Sequence, residues 1–146
     1  IVYEREDGSN DQNNDEELPY DITQDYLDIP DEDYGIFYLD VQDNPKRYER
    51  KTIRFLALVY RPEKFGKKPL FVPGRFAMTC CVEDIQFIGM KCKYDKADEI
   101  PHKSWVYLTA QIHVEFAKEY RGKGPVLYAK KVEPAEAPQD ELVYFT

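Results

Sequence analysis

Two adjacent thiols and a carboxylate, Cys80-Cys81-x-x-Asp84, form the densest group of potential ligands in the chain. Soft thiolates suit Zn or Cu(I) and a carboxylate adds an oxygen donor, so Cys80, Cys81 and Asp84 are the candidate metal ligands. Zn or Cu is the only cofactor this sequence suggests. Two features count against a metal: there is no C-x-x-C pair, and consecutive residues of a strand point to opposite faces. If 80 and 81 continue a strand, one thiol is buried and the other lies at an edge, with Cys92 opposite one of them across a hairpin. In an oxidising compartment a disulfide from Cys92 to Cys80 or Cys81 is the alternative.

A catalytic thiolate wants a histidine, and the chain has only His102 and His113. His102 follows Pro101 in a loop. His113 shares a strand face with Gln111 and Glu115, opposite Ile112, Val114 and Phe116, which points it to solvent. No Ser/His/Asp spacing, phosphate-cradling glycine loop or H-E-x-x-H motif is present, so the expectation is a noncatalytic domain.

The elements that position these residues follow from periodicity and punctuation. Residues 34–48 read as one short helix, ended by Asn44-Pro45, because the residue before a proline is pushed out of the α region. Strands are expected at Thr52–Tyr60, Leu70–Cys81, Ile85–Tyr94, Trp105–Phe116 and Pro125–Val132, separated by Gly/Pro loops. Pro73-Gly74 inside the second strand reads as a bulge. Five strands and one short N-terminal helix predict a mainly β chain, an OB-like barrel over residues 34–146.

Charge divides the chain. The sequence carries 20 Lys+Arg against 28 Asp+Glu, a net charge of -8, yet residues 1–33 hold thirteen acids and only Arg5, a net -12. This is the acidic N-terminal arm. Residues 4–17 lack the apolar content to fold and read as a tether, whereas 18–33 interleave Tyr20, Ile22, Tyr26, Leu27 and Ile29 and could dock as a strap. Between Lys46 and Arg75 ten bases face two acids, a local +8 beside Tyr48, Phe55, Tyr60 and Phe65. Such a stretch suits single-stranded nucleic acid, an anionic membrane surface, or the arm itself. Nucleic acid is the least favoured, since a phosphate groove gains nothing from a tethered anionic competitor.

The run Phe71 to Gly89 carries R-F-x-x-T-C-C-x-x-D, with Arg75, Thr79, Cys80, Cys81 and Asp84 in the fixed positions. It resembles the core of the bacterial domain of unknown function 1980, the C-terminal soluble domain of YcgQ-like small subunits of two-component permeases. Asn44-Pro45, Trp105-Val106 and Gly124 to Ala129 agree with the same family, over roughly 34–146; the arm and Cys92 lie outside the resemblance. It implies membrane-spanning segments upstream of Ile1, a membrane-anchored protein whose soluble domain is extracytoplasmic, and a permease-like membrane partner. It implies no reaction.

Overall fold

The computed structural model describes residues 18–145. The tether expected over 4–17 lies outside the described residues. The strap is structured: Tyr26–Asp28 forms strand β1, parallel to Thr52–Arg54, and Leu27 and Ile29 are buried.

Helix α1 spans Asp31–Asp43, three residues earlier than expected, followed by a 3-10 turn at Pro45–Tyr48. Asp31, Glu32 and Asp33 occupy its first turn, where carboxylates complement the free N–H groups and the helix dipole. Acidity that looked like part of a linker is therefore a helix start. Tyr34, Phe37 and Val41, at spacings of three and four, turn to the core, so the helix is held by packing more than by propensity. Tyr34 stacks on Phe55 at 5.2 Å between ring centroids and donates its hydroxyl to the Ile88 carbonyl at 3.2 Å. Asp40 gathers the helix end, accepting from Asn44 at 3.0 Å, Arg47 at 2.7 Å and the Tyr48 hydroxyl at 2.6 Å.

The remaining strands are β2 (Thr52–Tyr60), β3 (Leu70–Met78), β4 (Gln86–Gly89), β5 (Cys92–Lys93), β6 (Trp105–Ala117), β7 (Gly122–Ala135) and β8 (Leu142–Tyr144). β2, β6, β7, β5 and β3 pair in succession and β3 returns to β2, which closes a ring of five strands. Taking β4 and β5 as one interrupted strand, the ring runs 1-2-3-5-4-1 in chain order, and its parallel junction is β5 with β7. This is the OB-like arrangement, and the chain is mainly β. Its core holds Ile53, Phe55, Phe71, Leu108, Ile112 and Leu127.

Three expectations are corrected. The third strand breaks at Met90-Lys91, leaving Cys92 in β5. Pro73-Gly74 is no bulge: both residues pair in register with Val59 and Leu58. The glycine serves close approach instead, since a Cβ on Gly74 would meet the backbone of Ile88 and Gly89. The register shift falls between β6 and β7, where consecutive Thr109 and Ala110 face Lys131 and Ala129 and Lys130 of β7 is the extra residue. Finally, β3 ends at Met78, which moves both adjacent cysteines off the strand.

Arg75 joins the chain's two ends to the ring. Its guanidinium, fully buried, donates to Asp31 Oδ1 at 2.7 Å and to the carbonyls of Asp140 at 3.3 Å, Glu141 at 3.2 Å and Leu56 at 3.5 Å. Immediately beyond it, β8 pairs parallel to β3, Phe76 with Leu142 and Met78 with Tyr144. Arg75→Met takes the donor from the buried Leu56 carbonyl and from the carbonyls of Asp140 and Glu141, and is expected to lower stability by about 3 kcal/mol. Asp31→Asn is expected to cost only about 1 kcal/mol, because water reaches the 40% exposed Asp31 side chain. Urea unfolding of the two variants checks the order; equal stability of Arg75→Met and wild type would refute the clasp.

Candidate functional site

The β3/β4 connection is a tight turn organised by one carboxylate. Asp84 closes a short 3-10 turn, Val82–Asp84, capped by Cys81. Its Oδ1 accepts the Thr79 N–H at 2.8 Å; its Oδ2 accepts the N–H groups of Cys80 at 3.0 Å and Cys81 at 3.3 Å. The Cys80 thiol also donates to Oδ2, at 3.2 Å. Three backbone donors with no other partner in a turn are thereby satisfied by a single side chain. The motif spacing now has a reason: the carboxylate must stand five residues after Thr79 to reach back across the turn.

The same contacts set the electrostatics. The Thr79 N–H, then the Cys80 thiol and N–H, pull the Asp84 carboxyl down to about 2. The Cys80 thiol moves the other way, upward, first because it donates to Asp84, then through Cys81 and the nearby negative charge. Cys80 is therefore held as a thiol and is a weak nucleophile. Glu83, which sequence reasoning passed over, has its carboxyl lowered chiefly by a hydrogen bond from the Cys81 thiol.

Alternation along a strand predicted one buried thiol and one at an edge. Both Cys80 and Cys81 are instead exposed, with Sγ atoms 3.7 Å apart, because the turn rather than the strand sets their directions. Sγ of Cys80, Sγ of Cys81 and a carboxylate oxygen of Asp84 all lie within 4.8 Å of one another. Cys92 is elsewhere: buried in β5, it pairs with Phe71, seven residues before the end of β3, on the order of 20 Å away along the strand. A disulfide from Cys92 to either partner is ruled out by that separation. Burial pushes the Cys92 thiol well above its ordinary range, and it is inert.

The histidines stand apart from the turn in their bonding. His102 Nδ1 accepts the Arg61 N–H at 2.9 Å, and its ring meets Tyr60 edge-on. His113 is half-buried rather than turned to solvent, its ring 4.4 Å from Tyr128 and its Nε2 2.9 Å from Gln111 Oε1.

The basic stretch does not survive folding as one patch. Arg75 and Arg61 turn inward, Arg61 donating to the carbonyls of Gly66 at 2.7 Å and Lys68 at 2.9 Å. Arg47 pairs with Asp40, and Arg54 lies 4.0 Å from both Asp28 and Glu133. Two of the acids that meet these bases, Asp28 and Asp31, come from the arm. An apolar cleft of about 640 Å³ opens on the outer face, lined by Tyr60, Phe76, Phe87, His102 and Trp105, and its walls do not include the thiols.

The geometry defines a mainly β, OB-like domain that presents a vicinal dithiol on a carboxylate-organised turn. The profile of the DUF1980 C-terminal domain matches residues 4–145, and the chain belongs to that family. The match extends through most of the arm that the motif resemblance had left uncovered. No curated protein matches the chain. Among solved structures it is similar to the Schizosaccharomyces pombe Stn1-Ten1 complex, at 10% identity and a TM-score of 0.41, over 77% of this chain and 78% of that one. It is also similar to a protein described as an aspartyl-tRNA synthetase from Leishmania major Friedlin, at 14% identity and a TM-score of 0.39, over 77% of this chain and 21% of that one.

Because the folded Asp84 carboxyl lies below its unfolded value of roughly 4, its contacts stabilise the turn above that pH and are lost as pH falls toward about 2. A carboxyl NMR titration is expected to show Asp84 titrating at about 2, below the ordinary aspartate value of about 3.9. An ordinary midpoint would contradict the turn's hydrogen bonding.

Proposed function

We propose that the domain is a noncatalytic binder of a thiophilic divalent cation, zinc for preference, held by Cys80, Cys81 and Asp84. The observation that carries the reading is the convergence of three ligand atoms within 4.8 Å on an exposed turn. With a Zn–S length of about 2.3 Å, sulfurs 3.7 Å apart subtend about 110° at the metal, the tetrahedral value. Separations of 3.2 and 3.9 Å from the two sulfurs to Asp84 Oδ2 correspond to angles of roughly 95° and 125° for a Zn–O length near 2.1 Å. The backbone N–H groups of Thr79, Cys80 and Cys81 orient the carboxylate, the kind of outer support that fixes a ligand before the metal arrives. A fourth position is left for water or for a group from another molecule.

The setting we propose is that of a permease accessory subunit: a membrane-anchored protein, with this domain outside the cytoplasm, working beside a larger permease-like partner. It rests on what the motif resemblance implies, the matching family being a domain of unknown function. No described helix is long and apolar enough to cross a membrane. Noncatalytic function is supported by a Cys80 held as thiol and by histidines bonded to other groups. Nucleic acid is the weaker partner, because four of the arginines that suggested it are buried or paired.

Titration of the reduced chain with zinc, followed by native mass spectrometry, is expected to show one ion bound and two protons released per ion, with uptake weakening as pH falls. Cys80→Ser, Cys81→Ser and Asp84→Ala each lose that ion and Cys92→Ser keeps it. Zinc uptake unaffected by Cys80→Ser and Cys81→Ser would overturn the reading.

A further inference from the structure

Each of the two exposed thiols has the other as its neighbour, Sγ to Sγ 3.7 Å, while the third cysteine is buried in β5. The turn also gives them a common direction: both sulfurs lie toward Asp84 Oδ2, Cys80 Sγ at 3.2 Å and Cys81 Sγ at 3.9 Å. We propose that Cys80 and Cys81 are a reversible redox couple, closing to a vicinal disulfide by exchange with a small-molecule disulfide and so shutting the cation site.

The Cys81 thiolate attacks one sulfur of R–S–S–R, forming Cys81–S–S–R and releasing RS⁻, which is protonated by solvent. Cys80 then gives up its proton to solvent, its sulfur attacks Sγ of Cys81, and a second RS⁻ leaves and is protonated. Two cysteine thiols are oxidised and one small disulfide is reduced to two thiols. The order of attack follows from the turn, because Cys80 Sγ is held closer to Asp84 Oδ2, at 3.2 Å, than Cys81 Sγ, at 3.9 Å.

The bond so formed is readily reversed. Adjacent Cα atoms are about 3.8 Å apart, below the range of about 4.4–6.8 Å usual for disulfides, and a bond closed at that spacing is strained and easily reduced. Closure takes up both sulfur donors, leaving Asp84 alone. This consequence rests on the cation-binding reading; the disulfide itself does not.

The test is incubation of the whole reduced chain with excess oxidised glutathione, then denaturation, alkylation and mass measurement. Wild type and Cys92→Ser are expected to lose two hydrogens. One alkylatable thiol remains in wild type and none in Cys92→Ser, and dithiothreitol restores both to the starting state. Cys80→Ser and Cys81→Ser instead gain glutathione. Wild type that gains glutathione, links to a second chain or keeps three thiols overturns the proposal. Zinc uptake measured on the same oxidised sample is expected to fall at least about tenfold relative to the reduced one. Equal uptake by the two overturns the shutting of the site. Uptake absent even from the reduced chain overturns the zinc reading and the shutting with it, while the mass change still judges the disulfide.

Discussion

The buried guanidinium of Arg75 is the constraint on which the rest of the architecture depends. A charge removed from water must be compensated where it sits. Here Asp31 from the N-terminal side and the carbonyls of Asp140 and Glu141 from the C-terminal side converge on it. Trp105, opening β6, lies against its flat face, with Cζ 5.0 Å from the ring centre. One side chain on β3 thus fixes where α1 begins, where β8 docks and how the ring is closed beside it. β8 can pair parallel to β3 because its entry is held there, and its last partner, Met78, is the residue at which the functional turn departs.

A second, smaller version of the same logic operates in the turn. The strand ends, three N–H groups are left without ladder partners, and Asp84 accepts all three. The carboxylate that stabilises the turn also aligns both thiols and keeps Cys80 protonated. The same atoms that build the turn would also carry the proposed chemistry: a cation would enter by replacing the thiol protons, and an oxidant would join the sulfurs. Arg75, Thr79, Cys80, Cys81 and Asp84 form one motif because the first anchors the strand and the others build the turn at its end.

Much of the fold was legible in the sequence. β2 begins and ends where alternation and Arg61-Pro62 place it, and Asn44-Pro45 ends α1 as expected. β1 and β8 were hidden for a physical reason: each is three residues long and docks at an edge, so neither builds a period that stands out from its surroundings. The acids of 31–33 were counted as arm because their charge was visible and their role at a helix start was not. Local charge counting failed over Lys46 to Arg75 because bases adjacent in sequence are dispersed by the strands, some inward and some onto acids distant in the chain. The candidate site itself was visible by residue type. Its geometry was not, since extending β3 through Cys81 sends the two thiols to opposite faces, whereas ending it at Met78 brings them together.

The zinc reading requires two sulfurs and one carboxylate oxygen of this turn to act together on one cation. X-ray absorption spectroscopy of the zinc-loaded, reduced chain tests it most directly. Two sulfur and two oxygen or nitrogen neighbours are expected, at ordinary tetrahedral zinc distances of about 2.3 Å and 2.0 Å. A shell of oxygen and nitrogen alone, or one containing a third sulfur, would contradict it.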